Sequence, residues 1–324
     1  MTLLRMYQNK VLVFLIGFTL ILGVVFSSSS AFCSKPAGDQ KTFASPEEAV
    51  EAFIDALKAG NKEMLAPIFG SKSVSQVSSG DEVRDRADRE WFLSAYKTRN
   101  FLEKKGNDRV ILHVGNDDWP FPFPLIKKGN AWLFNSEEGE EELLNRRIGR
   151  NELRVMETME VYVAAQREYA SKDLTSGGIR AYARKFMSTP GKKDGLYWQV
   201  KEGEEESPLG PLVAMAAREG YTGKAKTPVP FQGYYFKILT GQGKHTQGGA
   251  YDYIIKGNMI LGFGLLAYPA KYGYSGIMTF IVNQQGVVYQ KDLGEKTAKV
   301  AAGIRTYDPD GTWRKIESKA GDAL

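Results

Sequence analysis

Side chains that commonly carry out chemistry are scarce in this sequence. Its 324 residues include two histidines, His113 and His245, and one cysteine, Cys33. Zinc sites, thiol nucleophiles and hydroxyl–imidazole relays all depend on these two residue types. We therefore predict no catalytic residue, no cofactor-binding residue and no metal site, and we favour a binding role over an enzymatic one.

Two further scarcities narrow the choice of partner and compartment. A single cysteine cannot form an internal disulfide, so stability must come from a buried core. The net charge is only +5, and it falls to about +3 without Arg5 and Lys10, the only charged residues up to Ala31. No basic stripe with interleaved aromatic residues is present, so nucleic acid is not expected as a partner.

The first residues have the order of a secretory signal peptide. Arg5 and Lys10 precede the apolar run Val11–Phe26, and small residues follow up to Ala31. The run is shorter than the roughly 20 residues that span a bilayer as a helix. We predict a signal peptide over 1–31 and a linker over 32–42, which would make the protein periplasmic or extracellular. Retention of 11–26 as a membrane anchor and lipidation of Cys33 remain open.

An N-terminal α+β domain is predicted over 43–136. Ser45, Pro46 and Glu48 form the start signal of a helix that ends at Gly60. The periodicity then predicts helices at 62–69 and 82–104, followed by strands at 110–114, 122–127 and 131–135. The first helix with the following "KAGN" resembles nuclear transport factor 2-like domains. That resemblance implies helices on a curved sheet that form a cone able to hold a ligand.

A second α+β domain is predicted over 137–317. Its first element is a long helix over 138–171, with Gly149 as a bend or domain boundary. A loop-rich insertion follows over 172–232, with a short helix at 212–219, and the tail 318–324 is expected to be disordered. Strands of an antiparallel meander are predicted at 234–240, 251–256, 259–268, 277–283 and 287–291.

A first resemblance rests on sequence segments of this second half. The segments "RNELRVMETMEVYVAAQREYAS", "GYYFKIL" and "AYPAKYGYSGIMTFIVNQQGVVY" resemble the helix and strands of pilins and pseudopilins. They imply a long helix packed on an antiparallel sheet, a plan typical of proteins that assemble with others.

The whole chain from Phe43 to Trp313 resembles a bacterial family of unknown function, number 2950. The shared sequence segments include "SPEEAVEAFIDALKAGN", "GNDDWPFPFPLIK", "STPGKKDGLYW", "SPLGPLVA" and "GGAYDYIIKGNMILGFGLLAYPAKYGYSGIMTFIVNQQGVVYQKDLG". The family carries no established activity. Its acidic loop corresponds here to Asp173–Gly178, where one carboxylate is left, so a calcium site is not expected.

The remaining polar candidates have structural interpretations. We expect His113 to lie on a strand, His245 to lie in the exposed glycine-rich loop Gly241–Gly249, and Asp117 with Asp118 to form a turn. The "GQGKHT" of the loop lacks the glycine spacing and the following helix of a phosphate-binding loop, so nucleotide binding is excluded.

The aromatic residues of the meander suggest a binding surface. Alternation places half of them on each face of the sheet. One face should pack against the long helix, and the other is either an interface rich in tyrosine or is covered by loops 172–232.

Two hypotheses follow from these patterns. The first is a non-catalytic envelope protein that binds or assembles with another envelope protein or a glycan. The alternative is a periplasmic small-ligand carrier or enzyme that uses the N-terminal cone, lined by Arg99, His113, Asp117 or Asp118.

Overall fold

The computed structural model describes residues 40–60, 62–70, 82–172, 179–201, 203–218 and 230–317. The predicted signal peptide, Cys33, the loop Asp173–Gly178 and the tail 318–324 lie outside the described residues. The described chain combines helices with antiparallel sheets, so the α+β prediction is confirmed. No described helix is both long and apolar enough to cross a membrane.

The first helix forms where its local signals predict it. Helix α1 (Pro46–Ala59) begins after Ser45, whose hydroxyl accepts from the Glu48 N–H at 3.1 Å. The Glu48 carboxylate in turn accepts from the Ala44 N–H at 2.9 Å. Gly60 ends the helix in the left-handed region, with φ 67°. Helices α2 (Ala66–Phe69) and α3 (Glu82–Thr98) follow.

Helix α3 is shorter than predicted, because its last part is a strand. Strand β1 (Asn100–Lys104) pairs antiparallel with β2 (Arg109–Val114), in the register Asn100 to Val114. The prediction of helix to residue 104 was therefore wrong. The pairing with β2 satisfies the backbone groups of this segment, and helical periodicity cannot register such a pairing.

The first sheet is completed by three further strands. They are β3 (Trp119–Pro120), β4 (Leu125–Lys128) and β5 (Ala131–Phe134), and the strand order is β1-β2-β4-β5 with β3 beside β2. The inward side chains Val110, Leu112 and Val114 pack against α1 and α3.

The long helix contributes to two hydrophobic clusters. Helix α4 (Ser136–Ser171) begins after Asn135 and runs without interruption through Gly149. Its Leu143 packs against the cluster of the first sheet, whereas Val155 and Met159 belong to the cluster of the second. The predicted domain division at residue 136 stays a prediction.

One member of the buried stripe of α4 is polar. Gln166 is fully buried, and its amide donates to the Ala183 carbonyl and accepts from the Ala183 N–H, both at 2.8 Å. It also donates to the Tyr162 hydroxyl at 2.9 Å. A buried amide with satisfied partners fixes one arrangement of the chain, so Gln166 holds the start of segment 179–201 against α4.

The second sheet is antiparallel and has the order β14-β13-β12-β11-β6. The strands of this sheet are β6 (Tyr234–Leu239), β11 (Gly264–Pro269), β12 (Met278–Asn283), β13 (Tyr289–Asp292) and β14 (Arg314–Lys315). Helix α5 (Gly210–Arg218) precedes it, and helix α6 (Thr297–Gly303), which was not predicted, follows β13.

The predicted strands 251–256 and 259–268 are broken into smaller pieces. The pairs β7 (Gly241–Gln242) with β8 (Tyr251–Asp252), and β9 (Ile254–Ile255) with β10 (Asn258–Met259), form two-stranded ladders of their own. Only 264–269 joins the five-stranded sheet.

Glycines 276 and 286 are restricted for different reasons. Gly286 has φ 79°, as its turn position requires. Gly276 has no positive φ, and a Cβ there would lie 1.9 Å from the hydroxyl oxygen of the buried Tyr234. Both positions thus favour glycine, but Gly276 does so because of close packing.

We predict that Gly276→Ala destabilises the protein by about 2 kcal/mol or more, since overpacking a core typically costs about 1–3 kcal/mol. Gly286→Ala should cost about 1–2 kcal/mol through its left-handed backbone. The matched control is Gly149→Ala, which is helical with no neighbour within 4 Å and should gain about 0.5–1 kcal/mol. Urea unfolding measures all three. Equal stability of the Gly276 and Gly149 variants would contradict the close approach to Tyr234.

Candidate functional site on the outer face of the second sheet

The two faces of the second sheet are covered by different segments. Tyr234, Phe236 and Phe280 point towards α4 and pack with its buried stripe. Leu266 and Ile281 point the other way and pack with Ala301 of α6 and with Tyr307. We call this second surface the α6 face, and it also includes the partly buried Tyr268, Tyr289, Ile304 and Trp313.

Within the described residues, the side chains that the predicted insertion buries do not pack on the α6 face. Ala183, Leu196, Trp198 and Leu209 instead pack into the cluster that contains α4. The cover of the α6 face comes from the segment after β13, which the sequence analysis assigned to no element. As a result, part of the tyrosine-bearing surface stays half-buried, including Tyr235 and Tyr268 with ring centroids 5.6 Å apart.

A cleft of about 350 Å³ lies on this face, between α6 and β13. Its apolar lining comes from Ile281, Leu293, Val300, Ile304 and Trp313. Lys291, Arg305 and Asp308 supply charged groups, and Thr306 a hydroxyl. Apolar and polar groups thus line the cleft in similar measure, and its volume lies near the lower end of the range of about 300–1,000 Å³ that is usual for small-ligand sites.

Two of the cations near the cleft have partners within the protein. Lys237 Nζ donates to the carbonyls of Ala302 at 3.0 Å and Ile304 at 2.6 Å, at the C-terminal end of α6. Lys291 Nζ donates to the Thr312 hydroxyl at 2.5 Å and lies 5.9 Å from the centroid of the Trp313 ring. Partial burial and the neighbouring Arg305 both lower the pKa of Lys237.

The histidine of the glycine-rich loop lies at the rim of this region. Asp308 accepts from the His245 backbone N–H at 2.8 Å, and its other oxygen lies 3.0 Å from His245 Nδ1. The loop is also held at Tyr307, whose carbonyl accepts from the Gly243 N–H and the Thr246 hydroxyl, both at 3.0 Å. His245 is exposed as expected, but its loop is fixed by these bonds rather than free.

Three of the four residues of the enzyme alternative lie together, on the outside of the first sheet. Arg99 pairs with Asp118, and His113 Nδ1 lies 2.7 Å from the Asp118 carbonyl oxygen. His113 Nε2 lies 2.9 Å from a carboxylate oxygen of Glu103. Hydrogen bonds from Lys105 and, to a smaller extent, His113 lower the pKa of Glu103. Both ring nitrogens of His113 therefore face oxygen atoms of the protein.

The interior of the first cluster is filled by aromatic rings. Phe69 packs against Phe53, Phe123 and Phe134 with ring centroids 5.3, 4.6 and 4.9 Å apart. Phe92 and Phe121 complete the packing around Phe53. Within the described residues, the space between the helices and the sheet is therefore occupied by side chains. A cleft of about 250 Å³ lies elsewhere, beside Arg109, Ile111 and Glu138.

Comparison with known proteins agrees with the resemblance found in the sequence. The model of a family described as "Protein of unknown function (DUF2950)" matches residues 40–316. The chain belongs to this family. No curated protein and no solved structure matches it. The likenesses to pilins and to nuclear transport factor 2-like domains stay predictions.

One buried hydroxyl on the α6 face lacks a hydrogen bond. Thr279 is fully buried, is paired with Lys291 across β12 and β13, and its Oγ1 contacts no partner in the described part of the chain. An unsatisfied buried hydroxyl costs about 1–3 kcal/mol. Thr297 is equally buried, but its hydroxyl donates to the Gly294 carbonyl at 2.6 Å.

We expect Thr279→Val to be neutral or to stabilise the protein by about 1 kcal/mol, since it replaces an unsatisfied hydroxyl by a methyl group of similar size. The matched change Thr297→Val should destabilise by about 1 kcal/mol, because it removes a hydrogen bond that is formed. Thermal unfolding of both variants measures the difference. A larger loss for Thr279→Val would show that its hydroxyl has a partner.

The position of the loop on Asp308 depends on a glycine. A Cβ at Gly243 would lie 2.1 Å from Asp308 Cγ, so any larger residue must displace the loop or the carboxylate. At Gly311 a Cβ would meet nothing within 4 Å, and no positive φ is recorded there.

We predict that Gly243→Ala frees the loop Gly241–Gly249 without unfolding the protein. Amide hydrogen exchange in this loop should accelerate by about tenfold, equivalent to about 1.4 kcal/mol of local stability. Gly311→Ala should leave the exchange unchanged. Unaltered exchange in the Gly243 variant would mean that the close approach to Asp308 does not hold the loop.

Proposed function

We propose that this protein is an exported, non-catalytic component of the cell envelope. In this proposal, it binds or assembles with another envelope component, either a protein or a glycan. The apolar run and small residues before Ala31 support export. The observation that carries the binding role is the α6 face, where half-buried tyrosines lie in the same sheet as an open cleft with cationic and aromatic walls.

The chemistry of this face suits recognition. Tyrosine and tryptophan bury a large area on binding while losing little conformational freedom, and both are enriched in interfaces. Tyr235 and Tyr268 pack against each other, which limits the freedom that a partner would have to remove. Further along the chain, Tyr274 lies under the cations of Arg147 and Lys271 at 4.7 and 4.4 Å.

The pilin-like plan belongs to the same proposal. Helix α4 buries Val155, Met159 and Tyr162 against an antiparallel sheet, as expected for that plan. An assembly role would then use surfaces of the second sheet that α4 leaves uncovered. The nuclear transport factor 2-like cone supports the carrier or enzyme alternative, but the phenylalanine rings that fill the first cluster leave that alternative with less support.

A photo-cross-linking experiment tests the binding role. A photoreactive phenylalanine analogue replaces Tyr235 or Tyr268 in the expressing strain, and native envelopes are irradiated. We expect a cross-linked product of reproducible mass from both positions, because both lie half-buried on the α6 face.

The control for this experiment is Glu51, an exposed residue of α1, which packs on the first sheet. Substitution there should yield only the monomer. Monomer alone from all three positions would count against binding through the α6 face. Cross-links from Glu51 alone would move the interface to the N-terminal part of the chain.

A further inference from the structure

The cleft on the α6 face has an apolar wall that is open to solvent. Val300 is 42% exposed, and Leu293, Ile304 and Trp313 are partly buried. Val300 comes from α6 and Ile304 directly follows it, whereas Leu293 directly follows β13 and Trp313 directly precedes β14, so the wall is held in place by several elements. An apolar group that fits between them would be removed from water, which is the main driving force for binding in such clefts.

Arg305 supplies a charge that the fold does not compensate. It is exposed at the cleft and makes no ion pair with a described carboxylate. It lies close enough to another cation, Lys237, to help lower the pKa of that ammonium group. A bound anion would relieve this repulsion. The planar guanidinium group is suited to carboxylates, which it binds through two parallel hydrogen bonds.

The other charges of the cleft indicate how much negative charge it accepts. Lys291 and Arg305 are positive and Asp308 is negative, so the lining carries a formal net charge of +1. A single carboxylate balances this charge. A phosphate monoester carries about −1.5 to −2 at neutral pH and would meet repulsion from Asp308. The charge balance therefore favours a monoanion.

The second cleft shows the contrast. It is lined by Arg109, Glu138, Glu142 and Arg146, and there each arginine is paired with a glutamate. Glu138 has a lowered pKa and Arg109 a raised one, because each stabilises the charged form of the other. An anion would have to displace one of these carboxylates. Unlike the cleft on the α6 face, this cleft therefore offers no arginine that lacks an ion pair within the described residues.

We propose that the cleft between α6 and β13 binds a small monocarboxylate with an apolar body, with Arg305 contacting the carboxylate and Val300, Leu293 and Trp313 contacting the body. This site rests on the proposed binding function and assigns a ligand class to the same face. Asp308 and Thr306 lie where a hydroxyl or amide group of the ligand would find an acceptor.

The test uses purified full chain and three acids, namely 3-phenylpropionate, octanoate and N-acetylphenylalanine, each compared with its neutral amide. Calorimetry or ligand-observed NMR at low ionic strength measures the dissociation constant. We expect saturable binding of at least one acid below about 10 mM. Its amide should bind about tenfold more weakly, because the charged hydrogen bonds to Arg305 are lost.

Variants identify the site. Arg305→Gln should weaken the acid by about tenfold and leave the amide unchanged. The control Lys299→Gln removes an exposed cation of α6 that does not line the cleft, and it should change neither affinity by more than about twofold. Val300→Ser should weaken acid and amide alike, since it shortens the apolar wall.

Several results would overturn this proposal. They are the absence of saturable binding by all three acids, equal binding of acid and amide, or unchanged affinity in Arg305→Gln with a folded protein. Tighter binding of phenethyl phosphate than of 3-phenylpropionate would overturn the preference for a monoanion. Cross-links from Tyr235 or Tyr268 together with no acid binding would reject this ligand while leaving the binding function standing. Acid binding without cross-links would support this ligand and count against the binding of an envelope component through the α6 face.

Discussion

The packing of α4 on one face of the second sheet is the constraint on which the rest of the structure depends. Glu152 Oε1 accepts from the N–H groups of Ile277 and Met278, both at 2.9 Å, where β12 begins. The Tyr234 hydroxyl donates to the Met278 carbonyl at 3.0 Å on the same side. Because successive residues of a strand point to opposite faces, Met278 and Phe280 on the α4 side leave Thr279 and Ile281 on the other face. The location of the cleft follows from which face α4 occupies.

The parts of the fold that the sequence predicts are those with local signals. Helix α1 has a capping residue and a terminal glycine, and the stripe of α4 repeats along its length, so both could be predicted. Strand β1 and helix α6 lack such signals. Lys296, before α6, makes no side-chain cap, and the helix is only seven residues long. It is held by Ala301, which packs on Leu266 and Ile281, and such contacts between distant residues leave no periodic trace in the sequence.

Even less of the candidate site could be predicted from the sequence. His245 and Asp308 are 63 positions apart, and nothing near either residue indicates the other. The sequence shows Gly243 only as one member of a glycine-rich loop. In the structure, its lack of a side chain lets the backbone approach Asp308. The aromatic alternation along β6, β11 and β12 did predict a two-sided sheet. The second side is covered by α6, so a helix that the sequence did not predict decides the form of the site.

The same helix also accounts for the charge at the cleft. The C-terminal end of a helix leaves carbonyl groups without partners within the helix, and it carries a partial negative charge. Lys237 reaches from β6 to two carbonyls at this end of α6, so its ammonium group is committed to the fold. Arg305 follows two residues after the helix, where those carbonyls are already satisfied. It therefore adds a positive charge that forms no ion pair within the described residues. The exposed guanidinium beside the open apolar wall is the position at which the proposed carboxylate would bind.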